Sequence, residues 1–480
     1  LGRKRHKERG LFAIYLPVNI PQIHFSAAVA AILCLGGLPA DLALSQTETA
    51  VTSPVGYLQE QCLGSSDTLL AIPFTRPVAF VGSVTSITGN SLTLNNGSFT
   101  AGTYVYNPTG SPAVTDNFYL SIGPLPVALS GTLSVTENSA TVTGSGTAFG
   151  TQVLVGDRLS INDGYNQISF TVTAVASPTS LTIDRLFLDA AAGSTGATLP
   201  NLAATYDHSP YEGRWYMITA NGTNTVTVNL NGDTLASVAA GTEVSIIPFW
   251  SLNTLFPVAN VGTSFTPSTS TNILNTLILI PSYTTAGINI PAATIYYYLS
   301  IADNTGWRSY SDSITTDHGN DYLLPDGYFT VRQGNSSPTV NLPFNGAVPM
   351  NKLVTSLTTS STRTHDNPVG LNRPVGVALS SLGLGASDGS FQTTTSSNYI
   401  QDELLLYNNA SVTINKPASI IYYYVNDLVN NVPNIGWRSY ADSVTAPHDS
   451  DIIPAASALT IRKAVTGNGQ TVDWNNNPNF

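Results

Sequence analysis

The pentapeptide Gly306-Trp307-Arg308-Ser309-Tyr310 returns unchanged, at an offset of 130, as Gly436-Trp437-Arg438-Ser439-Tyr440. Its surroundings return with it. Ile295-Tyr296-Tyr297-Tyr298 recurs as Ile421-Tyr422-Tyr423-Tyr424 at a spacing of 126, and Asp312-Ser313 recurs as Asp442-Ser443. Thr330-Val331-Arg332 matches Thr460-Ile461-Arg462, again 130 apart. Two strands and a turn have been copied together, so the chain must adopt an architecture that one unit can build twice. Upstream, Arg76-Pro77-Val78 looks like Arg373-Pro374-Val375. The repeated Trp lies much further beyond this tripeptide in the first copy than in the second, at Trp307 against Trp437. We read the excess as an insertion at roughly 83–258. In its compact form the unit spans about 110 residues, the size of one β-sandwich.

Between turns the chain alternates apolar and polar residues with period two, as in Ser91-Leu92-Thr93-Leu94 and Val226-Thr227-Val228-Asn229-Leu230. That spacing puts one face of a strand on a core and the other toward water. Gly89-Asn90, Glu137-Asn138 and Asn221-Gly222 separate such runs and suit the positive φ of tight hairpins. No segment carries a helical period. The fold class expected is all-β, with two related β-sandwich-like units and an inserted pair of small β modules. The first unit is placed at 46–82 plus 259–345 and the second at 346–480. One small module is expected at 83–126 plus 201–258, with a nested module at 127–200 inside it.

The N-terminus has the layout of a signal peptide. Arg3, Lys4, Arg5, Lys7 and Arg9 precede the uninterrupted small-and-apolar run Phe25–Leu38, and Ala43-Leu44-Ser45 offers small residues at a cleavage site. Residues 1–45 are therefore read as a removable export signal, too short in its apolar run to span a bilayer. The remaining chain has 13 Lys+Arg against 27 Asp+Glu, a formal charge of −14. Such a chain repels phosphate backbones, so nucleic acid is not an expected partner. Cys62 alone survives cleavage, so the mature chain has no intramolecular disulfide and must be held by its cores.

The order of Arg76-Pro77-Val78, Gly213-Arg214-Trp215-Tyr216 with Asn221-Gly222, Pro248-Phe249-Trp250, Leu255-Phe256-Pro257 and the paired Tyr-rich and Gly-Trp-Arg segments resembles a paralogous family of uncharacterised secreted β-rich bacterial proteins. That resemblance covers most of residues 55–475 and implies export and a shared β architecture. It carries no activity and no site residues. Residues 127–200, through Ser139–Phe149 and Val155-Gly156-Asp157-Arg158-Leu159, are similar to small β modules of phage tail fibres and bacterial surface proteins.

Several residues invite chemistry, and each has a plainer reading. Gly385-Ala386-Ser387-Asp388-Gly389 fits the nucleophile-elbow formula but lies in a Gly/Ser-rich loop, without the strand and helix that strain such a serine. His318 and His448, Asp312 and Asp442, and Asp321 and Asp451 occupy matching positions in the two copies. A histidine with two carboxylates can hold a divalent ion when they converge. Solvated turns, or carboxylates paired to Arg308 and Arg438, account for the same residues. Asn162-Asp163-Gly164 and His318-Gly319-Asn320-Asp321 lack the closing glutamate of a calcium loop. Trp307 and Trp437 read as buried anchors with an arginine on the opposite face. Tyr297 and Tyr423 point away from their tyrosine neighbours on a strand, so one face could present aromatics to a sugar ring.

Neither catalytic nor metal nor cofactor residues are assigned, and the chain is expected not to be an enzyme. It reads as a secreted or cell-surface structural or adhesion protein that meets a cell-surface glycan or matrix protein. The alternative is an extracellular carbohydrate-binding protein that uses exposed Tyr-rich strands.

Overall fold

The computed structural model describes residues 54–478 apart from 163–166, 188–196, 208–210, 272–273, 335, 386–389, 396–399, 430–431 and 467–468. The signal-peptide reading at residues 1–45, the serine of the 385–389 loop and Asp163-Gly164 fall outside them. The described chain is almost wholly β, with two α-helices of four residues each. None of its helices is long and apolar enough to cross a membrane.

Walking along the chain shows a nested order. It opens with β1 (Val55–Cys62) and β2 (Asp67–Ala71), then β3 (Phe80–Thr88), β4 (Ser91–Leu94) and β5 (Phe118–Ile122). Next come β6 (Val127–Ala128), β7 (Thr132–Thr136), β8 (Thr141–Ser145), α1 (Phe149–Gln152), β9 (Arg158–Asn162), β10 (Gln167–Ser177), β11 (Ser180–Ile183) and β12 (Thr198–Asp207). Then β13 (Trp215–Asn221), β14 (Thr225–Val228) and β15 (Glu243–Pro248) resume what β3 to β5 began, and α2 (Leu252–Leu255) follows. The strands β16 (Thr276–Pro281), β17 (Ala292–Leu299), β18 (Gly306–Ser309), β19 (Tyr328–Gln333) and β20 (Val340–Ala347) complete the first sandwich. The second is made of β21 (Leu353–Thr358), β22 (His365–Gly370), β23 (Val377–Ala378), β24 (Glu403–Leu406), β25 (Ile420–Val429), β26 (Val432–Ser439), β27 (Ile452–Ile453), β28 (Ala458–Lys463) and β29 (Thr471–Asn476).

The two sandwiches share one plan. Five strands run β18-β17-β16-β19-β2 in the first and β26-β25-β24-β28-β22 in the second, each with a separate two-stranded ladder, β1-β20 or β21-β29. Registers agree too: Tyr298 faces Trp307 across β17 and β18, as Tyr424 faces Trp437 across β25 and β26. Both tryptophans are fully buried, against Phe256, Phe265 and Tyr298 in one core and Phe391 and Tyr424 in the other. Losing a buried tryptophan of this kind costs about 3–5 kcal/mol.

The sandwiches meet through β2 and β22, the edge strands of their sheets, and the contacts are reciprocal. Asp67 N–H donates to Thr413 O and Asp366 N–H to Gly287 O, while Ala71 N–H donates to Ala456 O and Gly370 N–H to Asp326 O. Asp67 takes two bonds from Arg332 at 2.7 Å and one from Asn415 N–H at 2.7 Å. Asp366 takes the same set from Arg462 at 2.6 and 3.1 Å and from Asn289 N–H at 2.7 Å. Asn289 and Asn415 both hold left-handed φ, at 53° and 54°, a conformation asparagine tolerates better than most residues. This is the self-complementary geometry of a two-fold dimer, built within one chain. It also covers two sheet edges that would otherwise present unpaired backbone groups.

The inserted segments close on themselves. β13-β14-β4-β3-β15-β5 form a six-stranded barrel, and β6 to β12 form a seven-stranded sheet whose β12 also pairs with β9. Alternation produces both cores: Leu92 and Leu94 of β4 and Val226 and Val228 of β14 point inward, and their neighbours do not. Gly89-Asn90 makes a two-residue hairpin, with Thr88 paired to Ser91 and Gly89 at φ 61°. Asn221-Gly222 works differently. Asn221 is buried, its side chain holding Tyr104 N–H and Thr100 O, and the turn closes from Gly222 N–H to Thr225 O.

Leu252, Leu255 and Phe256, placed in the insertion by the sequence reading, belong to the core of the first sandwich. Likewise β12 carries the nested sheet through Asp207, beyond 200.

Candidate functional site

Where the first sandwich meets the barrel, a cleft of about 470 Å³ opens, lined by Tyr106 and Asn117 from the barrel side and by Tyr283, Tyr296, Asn320, Asp321, Tyr322 and Tyr328 from the sandwich. That volume lies in the range of small-ligand sites. Tyr106 and Tyr322 keep 41% and 39% of their surface exposed.

The wall is held from behind. The Tyr322 ring packs on Phe249 at 4.8 Å between centroids, and Phe249 in turn packs on Tyr119 at 4.8 Å and Trp215 at 5.8 Å. Tyr283 donates to Tyr328 O at 2.9 Å, and this approach needs Gly327: a Cβ there would sit 2.3 Å from the Tyr283 hydroxyl oxygen. Asn117 Nδ2 reaches Asn320 O at 3.4 Å, and Asn253 Nδ2 reaches Asn320 Oδ1 at 3.2 Å. Burial raises the phenol pKa values of Tyr283, Tyr296 and Tyr328, and the hydrogen bond to Asp321 adds to it at Tyr296. At neutral pH these phenols stay protonated, so beside Asp321 the cleft is lined by neutral hydroxyls and amides.

The duplicated histidines and carboxylates do come together, copy by copy. His318 Nδ1 lies 2.9 Å from Asp321 Oδ2 and its Nε2 lies 3.4 Å from Asp312, while Tyr296 donates to Asp321 at 2.7 Å. His448 repeats this with Asp451 at 2.8 Å and Asp442 at 3.7 Å, and Tyr422 donates to Asp451 at 3.0 Å. Among the described residues no group of three or more His, Cys, Asp or Glu side chains has the arrangement of a metal site. The carboxylates serve the histidines rather than Arg308 and Arg438. Those arginines are 4% exposed and lie under the loop after the pentapeptide. Arg308 donates to Trp307 O at 2.8 Å and pairs with Asp317 at 3.2 Å; Arg438 donates to Trp437 O at 2.7 Å and Val444 O at 2.9 Å.

The same loop corrects the expectation of exposed tyrosine strands. Tyr297, Tyr298, Tyr422 and Tyr423 are 3–5% exposed. Tyr297 packs edge-on against Tyr310 and Tyr423 against Tyr440, so the outer face of each strand is roofed by aromatics from its own repeat. Sequence alternation identifies which side chains share a face but not what lies above that face.

Comparing the copies separates scaffold from specialisation. The Tyr–Asp–His set, with the cleft residues Tyr296 and Asp321, is present in both, yet other residues that line the cleft in the first are replaced in the second. At matching positions Tyr283 becomes Asn409, Tyr322 becomes Ile452, Gly327 becomes Ser457 and Tyr328 becomes Ala458. The Tyr–Asp–His set thus fixes the loop that carries Asp321 and Asp451, while Tyr283, Tyr322, Gly327 and Tyr328 are cleft residues in which the copies differ. Tyr106, Asn117, Tyr283, Tyr322 and Tyr328 escaped sequence reasoning that looked for identity; for the last three, the differences between copies were the usable signal.

No family model, curated protein or solved structure matches the chain.

Proposed function

We propose that the protein is a secreted or cell-surface adhesion and scaffolding protein, and that its tyrosine-lined cleft takes a neutral glycan. The observation that carries this is the presence of the part-exposed Tyr106 and Tyr322 beside hydroxyl and amide groups in one cleft. Apolar ring faces stack on the C–H faces of sugars, and neutral donors meet their hydroxyls. Asp321, the carboxylate of the cleft, is already engaged by Tyr296 and His318, which fits recognition rather than catalysis. Export by residues 1–45 and duplication of an ancestral sandwich belong to the same proposal, supported by the basic and apolar N-terminal layout and by the common strand plan.

A panel of neutral polysaccharides and oligosaccharides tests it. Saturable binding by the chain from Gln46 onward is expected, lost at least tenfold in Tyr106→Ala with Tyr322→Ala. Tyr297→Ala should lower stability through lost packing. Absence of binding across the panel, or binding indifferent to both cleft tyrosines, would overturn the reading. Fractionation of the source cells tests export separately: recovery in the cytosol alone defeats it.

A further inference from the structure

We propose that Lys463 and Asp402 are joined by a covalent isopeptide bond in the second sandwich. Arg462 pairs with Glu403 across β28 and β24, so Lys463 stands directly opposite Asp402 at the end of that ladder. Both side chains are buried, 3% and 0% exposed, and Lys463 Nζ contacts Asp402 Oδ2. The Nζ also donates to Ser390 O at 2.6 Å and lies 5.9 Å from the centre of the Phe391 ring, which packs on Trp437. On the other side of Lys463, its cross-strand partner is the buried His365, whose pKa is lowered by burial. The row is buried and sets one amine against one carboxyl.

The first sandwich shows that this place in the fold needs no charge. Gln333 and Thr276 occupy the matching positions, facing each other across β19 and β16, with Thr276 Oγ1 bonded to Gln333 Oε1 at 2.9 Å. A neutral hydrogen bond suffices there. Burying an amine and a carboxyl instead carries a desolvation penalty that their attraction offsets only in good geometry, and a covalent amide removes both charges.

The chemistry balances within the pair. The buried pair holds, between its two side chains, the same protons as a neutral amine and a carboxylic acid, and the step starts from that form. The Nζ lone pair attacks Cγ, forming the C–N bond. The C–OH bond then breaks, and the hydroxyl leaves with a proton from nitrogen as one water. Backbone N–H groups of Ala464, at 2.8 Å from Oδ1, and Gln392, at 2.7 Å from Oδ2, are placed to stabilise negative charge on the carboxyl oxygens during attack. No oxidant or cofactor enters, and the step is independent of ligand in the tyrosine cleft.

Mass spectrometry of the purified full chain tests this. The wild type should be lighter by one water than its sequence, and trypsin should fail to cut after Lys463, leaving a branched peptide that contains Asp402. Lys463→Arg should show the full mass. Asp402→Asn should close the same bond by losing ammonia and match the wild-type mass. A wild-type chain of full mass with a linear peptide ending at Lys463 overturns the proposal, and that reading needs no variant to fold.

Discussion

Asp67 and Asp366 sit at mirrored places between the sandwiches, which makes a quantitative comparison possible. Asp67→Ala removes the acceptor of two Arg332 bonds and of Asn415 N–H, all at 2.7 Å. Hydrogen bonds to charged groups are worth about 1.5–3 kcal/mol each. Stripping a carboxylate that is 4% exposed from a guanidinium that is 22% exposed leaves that cation largely buried, with Asn415 Oδ1 still accepting from it. The expected loss is about 3–5 kcal/mol. Asp366→Ala should cost nearly as much, by about 1 kcal/mol less, because Arg462 keeps Glu403 at 3.4 Å. Urea melts followed by tryptophan fluorescence report both as midpoint shifts, and adding Arg332→Ala to Asp67→Ala should cost little more. A loss below about 1 kcal/mol at either site, or one variant shifting several times more than the other, would refute the reciprocal interface as a source of stability.

Two other perturbations follow from single residues. Gly327→Ala should push Tyr283 off Tyr328 O and weaken glycan binding more than it lowers the melting temperature, since the clash is with a side-chain hydroxyl at the cleft wall; unchanged affinity would dissociate Tyr283 from the site. Burial raises the Asp326 carboxyl to about 6. Between about pH 4, where the unfolded chain ionises, and pH 6 the folded state binds more protons, so stability falls as pH rises through that window. Asp326→Asn should flatten this fall and leave the variant the more stable above pH 6, with the difference gone below about pH 4; parallel stability curves would argue against it.

Much of the architecture was legible because strand periodicity and turn chemistry are local. Leu92, Leu94, Val226 and Val228 announce their inward faces by alternation, and Gly89-Asn90 announces its hairpin. The all-β class follows from such segments. Trp307 and Trp437 could be read as buried because an unchanged pentapeptide points to a shared packing environment. What stayed hidden depends on segments far apart in sequence. Tyr106, in the barrel, and Tyr322, in the first sandwich, line one cleft although more than 200 residues separate them, and no local rule links them. The roof that Tyr310 places over Tyr297 is a loop conformation, invisible to a period-two argument. The pairing of Asp67 with Asn415 needs the relative placement of two sandwiches.

The nested order of strands also dictates a sequence in time. β1 cannot find β20 until residues 340–347 have been made, whereas β3 meets β4 across a tight turn and the β6 to β12 sheet is complete by Asp207. Like brackets, the innermost segments can close first and the outermost last. Loop-closure entropy favours the same order, since short loops close at less cost than long ones. When the inner modules fold first, the pairing of β3 with β15 brings together the chain on either side of the barrel and shortens the effective loop between Ala71 and Thr276. The insertion thus becomes a clamp that prepares its host to fold.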